Sequence, residues 1–194
     1  MKSPPNLFID LEKVAFLHPS AIVGRTVRLR KPERVHIGAG SIIDDFTYVS
    51  CALKVGRYTH IGANGVIIRG DARVTIGDFV NIAPGCRLIA ASNDFACDGL
   101  VGPTIPPEYA GASITSEIHI ADHVLLGTNV VILPGVSLPE GVAIGACSLV
   151  HAKMSLAPWT LYAGVPAKPL RSRTGEAMRA AAERLKKERS DEWT

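Results

Sequence analysis

The sequence predicts an all-β domain in which short flat strands coil into a parallel β-helix, and three observations support this. The first is a period of six. An aliphatic residue returns at every sixth position through Ile37, Ile43, Val49, Val55, Ile61 and Ile67, then through Ile76, Ile82 and Leu88, and again through Ile120, Leu126, Ile132, Leu138, Ile144 and Val150. A helix needs apolar residues three and four apart, and an alternating strand needs every second one, so six fits neither. The second is the kind of residue that comes next in the chain: Gly38, Asp44, Gly56, Gly62 and Gly77 are small or acidic types suited to a corner. The third is composition. Of 194 residues, 18 are Gly and 13 Pro, against 6% aromatic and 47% hydrophobic overall, which describes many tight turns around an aliphatic core. In such a coil each inward side chain is covered by its counterparts above and below, a burial worth roughly 1.5–3 kcal/mol.

A weaker first copy, Leu17, Val23 and Leu29, comes after a lead-in over 1–16 and sets the coil at 17–171. One long loop interrupts it: SNDFACDGLVGPTIPPEYAGASITS at 92–116 has no period, and a loop of this length inside a compact domain is expected to be functional or mobile. From 172 to 194 the segment TGEAMRAAAERLKKERS reads as a short C-terminal α-helix opened by Thr174, with Glu176 in its first turn. Met178, Ala182 and Leu185 share one face, expected against the end of the prism or a neighbouring subunit; a frayed charged tail is the alternative.

Charge and segment patterns exclude several classes. The net charge is only +3 and no basic run carries interleaved aromatics, so nucleic acid is not the expected partner. No stretch of about 18 apolar residues predicts a spanning helix, and the N-terminus lacks a signal-peptide core. Cys51, Cys86, Cys97 and Cys147 form no CxxC pair and read as buried thiols in a reducing compartment, so the expected location is cytoplasmic.

The segments IGAGSIID, IGANGVII, IGDFVNIAPGCRLI, LLGTNVVILPGVSL and AIGACSLV, with the ending PWTLYAGVPAKPLR, resemble the hexapeptide-repeat acyltransferases. The resemblance covers roughly 17–171. It implies a left-handed winding, where general crossover rules favour the opposite hand. It also implies a homotrimer and an acyl-CoA donor, acetyl-CoA foremost, held along the prism between subunits. Lys168 and Arg171 occupy the basic positions of the family ending, with Lys153 and Arg173 nearby to meet CoA phosphates. Thr128 and Ala146 match small corner residues that let backbone approach the pantetheine arm.

Acyl transfer needs a nucleophile relieved of a proton. Many relatives place a catalytic histidine at the start of the long loop, and here that position is Asn93. Three routes stay open: the adjacent Asp94 as base, His60 in THIGAN as base, or an acceptor amine that attacks without a protein base. Asn64 matches an acceptor-holding asparagine of maltose and galactoside acetyltransferases, although Gly62 stands where those enzymes usually carry an aromatic. Asn81 reads as coil-stabilising, and Glu108 and Tyr109 as acceptor contacts or loop anchors. The stretch IIRGDARVTIGDFVNI, with Arg69–Asp71, resembles γ-class carbonic anhydrases, but His119 and His123 stand in the wrong phase for their metal ligands, so no metal is expected. His18, His36 and His151 read as surface or corner residues. The function implied is O- or N-acetylation of a sugar or nucleotide-linked sugar. The alternatives are a metal-dependent lyase and a non-catalytic trimeric scaffold.

Overall fold

The computed structural model describes residues 11–68, 71–96 and 99–193. The strands of the coil form three parallel faces, and each full turn of the chain adds one strand to each face. On the first face Leu17, Ile37, Val55, Ile76, Ile120 and Leu138 stand in register. The second stacks Val23, Ile43, Ile61, Ile82, Leu126, Ile144 and Tyr162. The third stacks Leu29, Val49, Ile67, Leu88, Ile132 and Val150. Every aliphatic residue of the three period-six runs is at most 2% exposed. Leu17 and Val23 of the weak first copy are only partly buried, because their strands are the edge strands of their faces and no described strand stacks beyond them.

A second inward position lies two residues before each aliphatic one and repeats with the same period of six, with a more varied set of residues. Val35, Leu53, Val74, Val80, Val124, Val130, Val136 and Val142 occupy it, as do the buried polar residues Ser41, Thr47, Thr59 and Ser148. The hydroxyls are tolerated because they bond the next turn. Ser41 Oγ donates to the Gly56 carbonyl at 2.8 Å and accepts from the Thr59 amide at 2.9 Å. Thr59 Oγ1 repeats this one turn on, donating to the Gly77 carbonyl at 2.8 Å and accepting from the Val80 amide at 3.1 Å. Without these hydroxyls, buried backbone groups would lose partners at a cost of about 1–3 kcal/mol each.

The corner glycines act by close approach rather than by bending. Gly38, Gly56, Gly62 and Gly77 do not have positive φ. A Cβ on Gly56 would lie 2.5 Å from the Gly77 carbonyl group, so turns stack here at backbone contact. The bend falls two residues later. Tyr58, Phe79 and His123 have φ of 51°, 58° and 61° after the first face, and Asn64 and Asn129 both have 59° after the second.

Three features depart from expectation. The base of the long loop is regular: Ala91–Asn93 pairs antiparallel with Ser113–Thr115. The helix, α1 (Glu176–Glu188), starts from Gly175 without a side-chain cap, so Thr174 is not its cap, although Glu176 does sit in the first turn. Gly175 is required where it lies, since an added Cβ would run into the Trp159 ring. Finally, α1 packs along the flank of the rod and not on its end: Met178, Ala182 and Leu185 face Phe79 and His123.

Those two rings belong to an aromatic ladder that the hexad pattern does not reveal. Phe79 stacks on Tyr58 at 5.9 Å and on His123 at 5.2 Å, and Trp159 continues the column 5.8 Å beyond His123. Trp193 then closes over Tyr58 and Phe79 at 5.4 and 6.1 Å. Arg179 and Arg57 lie over the Trp159 and Trp193 rings. Burial, with the Glu192 carboxylate bonded to its hydroxyl, pushes the Tyr58 phenol up to about 12. Arg173 is part of this anchoring: its guanidinium donates to the Gly141 carbonyl and reaches Met178 Sδ. Desolvation and the neighbouring Arg171 lower its pKa.

Candidate active site

The second corner, between the second and third faces, gathers one group of the sequence-derived residues. Its backbone climbs in a column: the amides of Asn64, Gly85, Asn129 and Cys147 donate to the carbonyls of Asp45, Ala63, Pro84 and Thr128 in the turns before them. Asn64, Thr128 and Ala146 therefore share one edge of the rod, all exposed. Asn64 is held by its backbone, whose carbonyl accepts from Arg87 Nη1 at 3.1 Å, and its amide side chain is left outside. Turns are packed so closely that a Cβ on Gly127 would meet the Ala146 amide at 2.6 Å. The edge is consequently low, with only small side chains at Thr128 and Ala146. An extended chain can lie along such an edge.

Cations crown the same end. Strand Ala167–Ser172 turns back antiparallel on Thr160–Gly164, setting Lys168 beside Ala163 and Arg171 beside Leu161. Lys153, Lys168 and Arg171 are exposed and have no ion-pair partner among the described residues. Arg173, counted with them in the sequence, is the structural cation described above.

His60 projects from the second face and is already engaged on both sides. Its Nε2 lies 2.8 Å from Asp44 Oδ2, and its Nδ1 lies 3.1 Å from Asn81 Oδ1. The sequence singles out His60 and Asn81 but not Asp44 as their partner. His60 and Asn81 pair in register, each just before an inward aliphatic residue, whereas Asp44 follows Ile43 on the preceding turn and reaches His60 diagonally. Both ring nitrogens of His60 thus lie within hydrogen-bond distance of a neighbouring side chain.

The loop forms a separate group, leaving the rod at the third corner, between the third and first faces. The Asp94 amide donates to the Ala112 carbonyl at 2.9 Å, and Asp94 Oδ1 accepts from the Ala96 amide at 3.0 Å. Its second carboxylate oxygen has no partner among the described residues. Asn93 ends the ribbon, paired with Ser113, and Ser92 Oγ donates to its carbonyl. Glu108 and Tyr109 lie in the 3-10 turn Pro107–Tyr109, where the Tyr109 carbonyl accepts from the Leu100 amide at 3.1 Å. The backbone anchors the loop there while the Tyr109 ring stays exposed. Within one chain, no described contact joins Asp94 to His60 or to the second corner.

The remaining candidates are resolved by position. His119 points outward from the first face and His123 is buried in the aromatic ladder. Among the described residues no three His, Cys, Asp or Glu side chains group to hold a metal ion. Arg69 and Gly70 lie outside the described residues, and Asp71 is paired with Lys31 and Arg34. Cys51 and Cys86 are buried as expected, and burial raises the Cys51 thiol to about 11. Cys147 is exposed at the second corner, against expectation, because it occupies the outward bend position; Cys97 lies outside the described residues. Among the described residues no helix is long and apolar enough to cross a membrane.

No protein-family model matches the sequence. The dTDP-4-amino-4,6-dideoxy-D-glucose acyltransferase of Escherichia coli is 32% identical over 145 residues, covering 73% of each chain. The chain belongs to the hexapeptide-repeat acyltransferases. The galactoside O-acetyltransferase of Escherichia coli is 31% identical over 161 residues, covering 79% of this chain and 71% of its own. In three dimensions the chain is similar to AntD, an N-acyltransferase from Bacillus cereus solved with dTDP and 3-hydroxybutyryl-CoA. The TM-score is 0.81 and the identity 31%, over 94% of this chain and 98% of AntD. The fold of this acyltransferase is thus the left-handed parallel β-helix that the resemblance implied.

Proposed function

We propose that this acyltransferase moves an acyl group, acetyl in the first instance, from CoA to the amine or hydroxyl of a nucleotide-linked sugar. The observation that supports this most is likeness along nearly the whole chain to an N-acyltransferase crystallised with dTDP and an acyl-CoA. The low second corner offers the pantetheine arm a track past Thr128 and Ala146, with Lys168, Arg171 and Lys153 placed for the CoA phosphates. The acceptor is held by Asn64 and by the loop through Glu108 and Tyr109. Asp94 accepts a hydrogen bond from the attacking amine or hydroxyl, orienting its lone pair at the thioester carbonyl. Collapse of the tetrahedral intermediate expels CoA thiolate and forms the amide or ester, and the proton lost by the acceptor goes to Asp94 or water. Asn93, which cannot take a proton, ends the ribbon that positions Asp94.

Purified protein with acetyl-CoA and a dTDP-4-amino-4,6-dideoxyhexose is expected to release free thiol, with a free galactoside a much poorer acceptor. Lys168→Ala and Arg171→Ala are each expected to raise KM for acetyl-CoA about 10–100-fold, the worth of a charge-assisted contact to phosphate. Absence of thiol release across sugar and nucleotide-sugar acceptors would overturn the reading.

The enzyme works as a homotrimer in the cytoplasm, where acyl-CoA and nucleotide sugars are found. Support for assembly comes from large apolar side chains that a monomer leaves in water: Ile22, Phe46, Val165 and Leu170 are 59–70% exposed. A neighbouring copy would bring a loop carrying Asp94 to the second corner that one chain keeps apart from it. Sedimentation velocity at micromolar concentration is expected to give three chains per particle; a monomer would contradict the assembly.

A further inference from the structure

The first face carries a notch lined by none of the residues assigned above to acyl transfer. Between the third and first faces, successive inward residues are eight apart at Leu29 and Ile37 and nine apart at Ile67 and Ile76, but only six apart at Val49 and Val55. The turns on either side therefore swell at the third corner, the earlier one through the 3-10 turn Pro32–Arg34, while the turn between them stays short. Lys31 Nζ and Arg34 Nη1 reach Asp71 Oδ1 at 3.0 and 3.3 Å, tying the two swollen turns together across the short one.

Ala52 and Leu53 floor the resulting gap, and Glu33, Arg34, His36, Lys54 and Arg73 wall a cavity of about 350 Å³. Register places Arg73 beside Ala52 and Lys54 beside His36, so the cationic side chains come from three adjacent turns about 4.8 Å apart. Lys54 and Arg73 have no ion-pair or hydrogen-bond partner among the described residues, and Glu33 is the one carboxylate in the lining. Ala52 matters because a larger side chain there would fill the volume the cations surround. Two unpaired cations, a third shared with Asp71, and an imidazole around a concave space form a strong focus for an oxyanion. A guanidinium gives directed paired donors and an ammonium a point charge, a combination suited to phosphate.

We propose that this notch is a binding site for a phosphate-bearing ligand, contacted chiefly by Lys54 and Arg73 and separate from the CoA edge. The chemistry is shared by the diphosphate of a nucleotide and by free phosphate or pyrophosphate, and the experiment distinguishes these sources. Full-length protein is first saturated with CoA, so that CoA's own phosphate contacts are filled, and then titrated calorimetrically with pyrophosphate, inorganic phosphate and dTDP.

Saturable pyrophosphate binding is expected. It should weaken at least tenfold in Lys54→Glu and Arg73→Glu and tighten in Glu33→Gln, with CoA affinity and thermal midpoint unchanged. Binding of dTDP more than tenfold tighter than pyrophosphate, lost in the same variants, assigns the site to a nucleotide. Equal affinities assign it to the free anion. No saturable uptake at millimolar pyrophosphate, or variants that bind as the parent does, would overturn the proposal. The opposite sign expected of Glu33→Gln separates a lost site from a damaged fold.

Discussion

Replacing Asp94 by asparagine is expected to lower kcat by about 10²–10⁴-fold, the usual contribution of a positioned acid or base, with acetyl-CoA affinity changed less than about twofold. The substitution is close to isosteric. Asparagine Oδ1 can still accept from the Ala96 amide, and the backbone bond to Ala112 is untouched, so the loop keeps its shape while the charge is removed. What is lost is the carboxylate oxygen that has no partner among the described residues. His60→Ala is the paired control. Both ring nitrogens of His60 are already taken up by Asp44 and Asn81, so its loss should cost less than about tenfold in kcat. Steady-state kinetics with a thiol readout, alongside calorimetry for acetyl-CoA, measures both. An Asp94→Asn enzyme within tenfold of the parent would remove Asp94 from the mechanism and leave proton release to the acceptor and water.

Ile43→Ala is expected to cost about 2–5 kcal/mol, whereas Ile42→Ala, one residue earlier in the same strand, should cost about 1 kcal/mol or less. The two side chains are chemically identical and covalent neighbours, and they differ only in the face they occupy. Ile43 is fully buried between Val23 and Ile61, while Ile42 points outward beside His60. Removing Ile43 leaves a void that stacked turns cannot close, because their spacing is set by backbone hydrogen bonds. Urea midpoints at one protein concentration test the difference, with hydrogen exchange to locate it. In a quasi-one-dimensional fold the lost protection should centre on the turns that touch Ile43. Equal costs at the two positions would mean that the period-six register is misassigned.

Much of this molecule is legible residue by residue. The aliphatic columns can be named from the chain because their spacing is a local property: one inward side chain per flat strand, one strand per face. The glycines are located by the same pattern but act for another reason, since only stacking shows that Gly56 meets the Gly77 carbonyl. The aromatic ladder has a signal, because Tyr58, Phe79 and His123 each stand three residues after an inward aliphatic, as do Asn64 and Asn129. That phase carries meaning only once it is known to be the bend of every corner. Thr174 is a reasonable cap by residue type and is displaced by Gly175, which the Trp159 ring demands.

The pattern along the chain is therefore enough for the coil, its core, the interrupting loop and the family with its acyl-transfer chemistry. These rest on periods and motifs that neighbouring residues express by themselves. The three-dimensional arrangement decided the rest: that His60 is locked between Asp44 and Asn81, that Arg173 anchors and does not await a ligand, that α1 lies on the flank, and that every break in the period falls at the third corner. Each depends on which residues of different turns meet. Turns of unequal length shift that alignment by amounts that become visible only when the coil is closed.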